Sequence, residues 1–213
     1  MRRLLIATSN PGKVREFREM LGGAPSANAP FEFGDLSAHP AFAPVEETGA
    51  TFLENASLKA AGYARQLKTW ALADDSGLEV DALGGKPGVH SARWAELNAA
   101  GSGDADNNAL LLRQLESVPD ERRSARFVCV LALADPDGRI ILTARDTVEG
   151  RILRSPRGDN GFGYDPLFLI DATGRTTAEL SPTRKHAISH RGKALRRMRA
   201  LMDRADLIQE TNA

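Results

Sequence analysis

Two adjacent carboxylates, Asp74 and Asp75, stand in the stretch "LADDSG" directly after an apolar segment. Asp, Ser and Gly are ordinary turn residues, so a surface turn is the simplest interpretation of an isolated match. The alternative is a strand that ends at the rim of a sheet, where α/β proteins keep their ligand sites. The stretch by itself leaves both interpretations open.

The stretch "ATSNPGKV" favours a phosphate-binding helix entry, because a predicted strand is followed by a small-residue turn and by Pro11. A helix N-terminus offers free N–H groups to an anion, and Lys13 adds a full positive charge. The Walker A motif is excluded, since Ala7 and Val14 replace its glycine and its Ser or Thr. The alternative is a purely structural helix entry capped by Asn10. If Lys13 binds phosphate, its replacement is expected to weaken triphosphate binding and to leave thermal stability nearly unchanged, since a surface lysine at a helix start contributes little to folding.

The stretch "VEETGATF" places Glu46 and Glu47 just before a predicted helix. Carboxylates at this position stabilise the helix dipole, which is the structural interpretation. The functional interpretation is an oxygen ligand for Mg²⁺, which usually takes one or two protein carboxylates besides water and phosphate oxygens. Glu46 together with Asp75 would suit that arrangement.

Two stretches in the second half of the chain also carry candidate chemistry. In "GFGYDP" (161–166), glycines on both sides of Phe162 allow the ring to lie against a flat ligand such as a base, or to fill the core. The basic stretch after Ser181 is a solvated helix face or an RNA-binding patch. His186 and His190 are four residues apart, but we reject zinc because the motif glutamate and a third ligand are missing.

Composition indicates a soluble globular chain. Its 213 residues are 42% hydrophobic and 26% charged, with 28 basic and 28 acidic residues, so no net field favours nucleic acid or anionic membrane. The apolar run at residues 4–7 is too short for a signal peptide or a membrane span. Cys129 is expected to be a buried structural thiol in a reducing compartment, which predicts a cytoplasmic protein.

Hydrophobic spacing predicts alternating strands and helices, and therefore a mixed α/β domain. Long strands on both sides of "PDG" indicate that part of the sheet is antiparallel. On the helix after "VEETG", three polar residues four apart form a stripe: Thr51, Asn55 and Lys59. The predicted helices are 14–21, 50–67, 105–118 and 189–205. The predicted strands are 3–9, 69–73, a short one that begins at 77, 126–135, 139–153 and 167–170. The clearest predicted loop is 22–34.

Taken together, five stretches resemble the inosine triphosphate pyrophosphatase family, which hydrolyses ITP, dITP and XTP to monophosphates and pyrophosphate. They are "TSNPGK", "EETGATFLENASLKA", "ADDSGLEVDALGGKPGVHSARW", "GFGYDP" and "AISHRGKAL", and the resemblance runs from about Leu4 to Leu201. It implies an elongated mixed β-sheet flanked by helices, with the active site in a central cleft. It also implies a homodimer. We expect a single domain over residues 1–213 and, from the balanced charge and the short apolar runs, no nucleic acid and no membrane among its partners.

The resemblance also implies a role for individual residues. Asp75 is the proton acceptor and holds Mg²⁺ together with Glu46, and we expect Asp74 to support the loop. The positions expected to bind the purine nucleoside triphosphate are Thr8, Ser9, Asn10, Pro11, Gly12, Lys13, Ser76, Phe162, Gly163, Tyr164, Asp165, Lys185, His190 and Arg191.

The chemistry of the bases suggests how such a site selects its substrate. Hypoxanthine and xanthine carry an oxygen at position six where adenine carries an amino group, so Arg191, a permanent donor, suits the oxygen. Phe162 would stack on any base. Two alternatives stay open: a septum-inhibitor-type pyrophosphatase for modified pyrimidine nucleotides, and a non-catalytic RNA-binding protein that uses the basic C-terminal helix.

Overall fold

The computed structural model describes residues 2–21, 31–38 and 42–205. Its first strand, β1 (Arg2–Ile6), pairs in parallel with β2 (Phe31–Asp35) on one side and with β3 (Trp70–Val80) on the other. Helix α1 (Pro11–Leu21) lies between β1 and β2 in the chain, and α2 (Phe52–Leu67) lies between β2 and β3. Because parallel crossovers are right-handed and these two run in opposite directions, α1 and α2 cover opposite faces of the sheet.

Helix α2 begins with a capping box, which the sequence "TFLE" permits. The Glu54 N–H donates to Thr51 Oγ1 at 3.2 Å, and the Thr51 N–H donates to the Glu54 carboxylate at 3.1 Å. One turn later, Asn55 Oδ1 accepts a 2.8 Å bond from the Gly49 N–H. Thr51 and Asn55, two members of the predicted polar stripe, therefore attach the preceding loop to the start of the helix. This loop carries Glu46 and Glu47.

The sheet continues through four further strands, and the described residues give the order β2-β1-β3-β4-β5-β6-β7. The strands are β4 (Ser124–Ala134), β5 (Ile140–Ile152), β6 (Phe168–Ile170) and β7 (Arg175–Thr176). The tight turn after β4 forces β4 and β5 to be antiparallel, and β6 pairs antiparallel with both β5 and β7. The predicted α/β class with a mixed sheet is confirmed.

After β3, the described structure contains four further α-helices: α3 (Trp94–Leu97), α4 (Gly103–Gln114), α5 (Pro182–Ile188) and α6 (His190–Arg204). The predicted helices at 105–118 and 189–205 correspond to α4 and α6. Short 3-10 helices lie at Leu36–Ala38, Asp81–Leu83, Gly88–Arg93, Asp120–Arg122 and Thr177–Glu179. Within the described ranges, no helix is long and apolar enough to cross a membrane.

The chain forms two compact units. The first contains residues 1–75, 130–145 and 194–213, and the second contains 76–129 and 146–193. Buried residues of the first unit include Leu4, Ile6, Phe17, Ala60, Leu131 and Met198. In the second unit a core forms around Leu78, Leu111, Phe127 and Phe168, and Cys129 is buried as predicted. That the whole chain acts as a single domain stays a prediction.

Two sequence predictions about this architecture are wrong. The predicted loop 22–34 extends too far, because residues 31–34 belong to β2; residues 22–30 lie outside the described ranges. Both interpretations of "DDSG", a surface turn and a strand that ends there, are contradicted, because the stretch lies inside β3, which runs without interruption from Trp70 to Val80 and joins the two strands predicted around it. Strand pairing and burial thus override the turn preferences of Asp, Ser and Gly.

Candidate functional site

Asp74 and Asp75 lie in the middle of β3, where this strand extends past its neighbour. The pairing of β1 with β3 ends at Ile6 and Leu72, two residues before Asp74. Both carboxylates are nevertheless buried, with 1% and 5% of their surface exposed. Because successive side chains in a strand point to opposite faces, the two carboxylates have different surroundings.

On one side, Asp74 forms a salt bridge with Lys13 of α1. The Lys13 ammonium lies 3.1 Å from Asp74 Oδ1, and its side chain is only 12% exposed. At the same helix entry, Asn10 Oδ1 accepts a 3.1 Å bond from the Lys13 N–H, and the Asn10 N–H donates to Thr8 Oγ1. The predicted cap by Asn10 is confirmed, and Lys13 is held by a buried carboxylate instead of extending freely into solvent.

The helix entry at residues 8–13, which the sequence predicts to bind phosphate, borders a cavity of about 580 Å³ in the first unit. Thr8, Ser9 and Pro11 line it together with residues of α1 and the end of β2. Arg15 and Arg18 add positive charge to its wall, although Arg18 already forms a salt bridge with Asp35. Glu19 and Asp35 also line the cavity and balance the charge of the two arginines, so the cavity offers space for phosphate groups but no net positive charge.

On the other side, Asp75 is paired with Lys59, the third member of the polar stripe on α2. The Lys59 ammonium lies 3.5 Å from Asp75 Oδ1 and donates a 2.8 Å hydrogen bond to Glu47 Oε2. Burial raises the pKa of Asp75, and this outweighs the lowering by Lys59 and Lys13. Burial acts to lower the pKa of Lys59, but Asp75, Asp74 and Glu47 together raise it above its ordinary range. The pair is therefore a desolvated carboxylate held beside a firmly charged ammonium.

A divalent cation would find oxygen donors around this pair. Glu46 and Glu47 are both exposed at the loop before α2, and Glu47 is joined to Asp75 through Lys59. In the described part of the chain, no three Asp, Glu, His or Cys side chains form a ready metal cluster. Mg²⁺ does not need one, because it commonly takes one or two carboxylates and completes its shell with water and phosphate oxygens. The donor set fits Mg²⁺ better than zinc, which prefers nitrogen and sulfur.

In the second unit, the "GFGYDP" loop is organised by the buried Asp165. Its carboxylate accepts a 2.5 Å bond from Lys185 Nζ and a 2.9 Å bond from the Phe162 N–H. Gly161 has a φ of 83°, and a Cβ there would lie 2.0 Å from the Asp165 carboxylate, so this position requires glycine. Asp165 and Lys185 therefore support the loop, which presents Phe162.

Phe162 lies beside two cations that the sequence predicted to bind substrate. Its ring centre is 5.1 Å from Lys185 Nζ and 5.8 Å from the Arg191 guanidinium carbon. Arg191, which is 2% exposed, donates a 2.7 Å bond from Nη2 to Ser76 Oγ. The structure thus brings Phe162, Lys185, Arg191 and Ser76 together as one cluster, which we call the aromatic-cation cluster.

Two further predicted positions serve the packing of this unit. The Tyr164 hydroxyl donates a 2.9 Å bond to the Ser91 carbonyl, and burial raises the pKa of Tyr164. The buried His190 ring stacks on Phe127 with 4.9 Å between the ring centres. Tyr164 therefore anchors the loop through Ser91, and His190 fixes the start of α6 next to Arg191.

Sequence reasoning did not single out Lys59, Glu47 or Ser91 as functional residues. The sequence did contain a signal for Lys59, since this lysine lies on the polar stripe of α2 among apolar neighbours. A lysine that is buried in such surroundings needs an acidic partner. For Glu47 the only signal was its position next to Glu46. Ser91 lies in the resembling stretch, but its contacts depend on a long-range approach that spacing does not reveal.

Comparison with known proteins shows which family the chain resembles over nearly its whole length. The family model of the Ham1 family matches residues 4–201. The chain is 50% identical over 198 residues to the dITP/XTP pyrophosphatase of Geobacillus kaustophilus (strain HTA426), covering 93% of each chain. It is 51% identical over 195 residues to that of Geobacter sulfurreducens, covering 92% of this chain and 94% of the relative.

Solved structures extend the agreement to three dimensions. A HAM1 protein from Coxiella burnetii aligns with a TM-score of 0.82 at 40% identity, over 96% of this chain and all of that chain. The Staphylococcus aureus Ham1 protein aligns with a TM-score of 0.79 at 37% identity, over 95% of this chain and 98% of that one. With the family model spanning nearly the whole sequence, the chain belongs to the Ham1 family.

Proposed function

We propose that this protein hydrolyses noncanonical purine nucleoside triphosphates, such as ITP, dITP and XTP, to the monophosphate and pyrophosphate. The observation that carries the proposal is the buried Asp75, held by Lys59 next to the Asp74–Lys13 salt bridge. A carboxylate with a raised pKa beside two cations is suited to accept a proton where an anionic substrate is bound. The relatives named dITP/XTP pyrophosphatase support the same activity.

In the proposed reaction, the oxygen of a water molecule forms a bond to the α-phosphorus as the bond to the pyrophosphate oxygen breaks in line. Asp75 accepts the proton that the water loses. Mg²⁺, when bound by Glu46 and Asp75, would supply charge neutralisation for the triphosphate and a lower pKa for the water. The N-terminal end of α1 and Lys13 would hold the phosphates.

Base selection is assigned to the aromatic-cation cluster. Phe162 offers a ring face for stacking, which does not distinguish one base from another. Arg191 is a donor that suits the six-oxygen of hypoxanthine or xanthine and mismatches the amino group of adenine. Its hydrogen bond to Ser76 Oγ fixes the orientation of the guanidinium group.

Two further properties are proposed, the first from the family resemblance and the second from the buried thiol. We propose that the protein is a homodimer, which sedimentation equilibrium would test, and that it works in the cytoplasm, where deaminated nucleotides form. The buried free thiol of Cys129 is compatible with a reducing compartment.

A panel of triphosphates tests the proposal. Hydrolysis is measured with Mg²⁺ for ITP, dITP, XTP, the common nucleotides and several modified pyrimidine nucleotides. The proposal predicts that the inosine and xanthosine nucleotides are preferred. Preference for modified pyrimidines would support a septum-inhibitor-type pyrophosphatase instead, and salt-sensitive RNA binding without hydrolysis would support an RNA-binding protein.

A further inference from the structure

Gly163, in the centre of the "GFGYDP" loop, is bonded on both of its backbone polar groups by one helix. Its N–H donates a 2.6 Å bond to Asp104 Oδ2, and its carbonyl accepts a 2.9 Å bond from Asn108 Nδ2. Asp104 and Asn108 are four residues apart on α4, so they lie on the same face, one turn after the other. We call this pair the α4 clamp.

The clamp acts on the residue that follows Phe162. Gly163 has a φ of 61°, in the left-handed region, so the chain reverses its course directly after the aromatic residue. On the other side, the Phe162 N–H is bound by Asp165. The backbone is therefore fixed on both sides of Phe162, which determines where its ring is presented.

The helix that carries the clamp is itself held firmly. Asn107, which is buried, accepts a 2.7 Å bond from the Ala95 N–H and donates a 3.1 Å bond to the Ala92 carbonyl. On the next turn, Leu111 is fully buried in the core of the second unit. Groups that orient a binding loop are most effective when they stand on such a rigid element.

We propose that Asp104 and Asn108 are positioning residues for purine recognition, acting through Gly163 on the ring of Phe162. This inference rests on the proposed function, in which Phe162 stacks on the base. The clamp is predicted to affect the binding of the base and to leave the binding of the phosphates unchanged.

A purely structural role of Asp104 would be shared by other carboxylates at the same end of α4. Asp104 lies in the first turn of α4, where any carboxylate stabilises the helix dipole. Asp106 lies in the same turn and accepts a 2.7 Å bond from the Ser102 N–H. Asp106→Ala is therefore a matched control, because it removes a carboxylate from the same helix end and leaves the two bonds to Gly163 intact.

The experiment compares Asp104→Ala, Asn108→Ala, Asp104→Asn and Asp106→Ala. We expect Asp104→Ala to raise KM for ITP and Kd for IMP about tenfold, the scale for losing a hydrogen bond to a charged group, while kcat stays within about twofold. Asn108→Ala should act in the same direction. Asp104→Asn keeps an acceptor oxygen and should restore most of the affinity, and Asp106→Ala should leave KM unchanged. Inhibition by tripolyphosphate, which has no base, should be the same in all four.

Combination with Phe162→Ala tests whether the clamp works through the ring. If it does, Asp104→Ala has no further effect on Kd for IMP once Phe162 is replaced. An undiminished effect in that background, or an unchanged Kd in both clamp variants, would overturn the inference. Failure of the proposed function looks different, because the wild-type protein would then bind IMP without hydrolysing ITP, and Kd would still report on the clamp. A wild-type protein that binds no purine nucleotide would overturn both.

Discussion

Lys13 and Asp74 form a buried salt bridge of 3.1 Å between the start of α1 and the middle of β3. From the sequence, replacement of Lys13 was expected to leave stability unchanged, since an exposed lysine at a helix start contributes little. The side chain of Asp74 has no exposed surface, so removing its cationic neighbour leaves a desolvated carboxylate with less compensation. Replacement of Lys13 is therefore expected to destabilise the folded protein, in contrast to the prediction from the sequence.

We therefore predict that Lys13→Ala lowers the free energy of unfolding by about 2 kcal/mol or more and also weakens triphosphate binding. Arg15→Ala is the matched control for stability alone, because Arg15 is an exposed cation on the same helix that also lines the cavity. Urea unfolding followed by circular dichroism measures the effect. Equal midpoints for wild type and Lys13→Ala would show that the salt bridge is energetically unimportant.

Asp75→Asn should separate activity from stability. Loss of the proton acceptor is expected to lower kcat by a factor on the order of 10² or more. The pKa of Asp75 is raised in the folded protein, so between the pKa of the unfolded chain, about 4, and the raised pKa the folded state binds more protons than the unfolded state. Ionisation of Asp75 thus reduces stability as the pH rises through its raised pKa.

Asparagine carries no charge, so Asp75→Asn removes the loss of stability that ionisation of the buried Asp75 causes. In metal-free buffer, Asp75→Asn should melt no lower than the wild-type protein at pH 7, and any advantage should shrink as the pH falls toward 4. Thermal melts at a series of pH values provide the measurement. A variant with full activity in Mg²⁺, or one that is markedly less stable at pH 7, would contradict the role assigned to Asp75.

Glu46 and Glu47 form a matched pair for testing the metal ligand. The resemblance assigns the metal to Glu46, whereas the structure joins Glu47 to Asp75 through Lys59. If Glu46 is the ligand, Glu46→Gln should raise the Mg²⁺ concentration needed for half-maximal activity about tenfold or more, and Glu47→Gln should change it less. Titration of activity with Mg²⁺ decides between them, and the reverse order would transfer the role to Glu47.

Arg191 should determine the preference for ITP over ATP. Arg191→Ala is expected to lower kcat/KM for ITP more than for ATP, because the donor that suits the six-oxygen is lost. Arg184→Ala, which removes an exposed cation from α5, serves as the control. Steady-state kinetics with ITP, ATP and GTP test this, once circular dichroism has shown that the variant folds. An equal loss of kcat/KM for all three substrates would mean that Arg191 binds phosphate instead of the base.

The sequence predicted best the elements whose hydrophobic spacing is long and regular. Helices α2 and α6 and strands β4 and β5 carry such patterns, and the structure confirms them. Prediction from the sequence failed where tertiary contacts decide the local conformation. "DDSG" has the composition of a turn, but the neighbouring strands and the two lysines keep it extended and buried.

The site shows the same division. Motifs led to Asp75, Lys13, Phe162 and Arg191 as candidates, because their types and neighbours carry chemical information, and their roles stay predictions. Contacts between distant segments escaped prediction, such as Lys59 with Asp75 and Asp104 with Gly163. These depend on where helices pack on the sheet, and no spacing within one segment encodes that.

The most direct test of the central claim is a competition in one reaction mixture. Equal concentrations of ITP and ATP are incubated with the wild-type protein and Mg²⁺, and the products are identified by chromatography and phosphorus NMR. We predict that IMP and pyrophosphate form while ATP persists, with a selectivity of roughly 10² or more, since a mismatched donor leaves buried polar groups unpaired. Equal consumption of both nucleotides, or release of orthophosphate in place of pyrophosphate, would contradict the account.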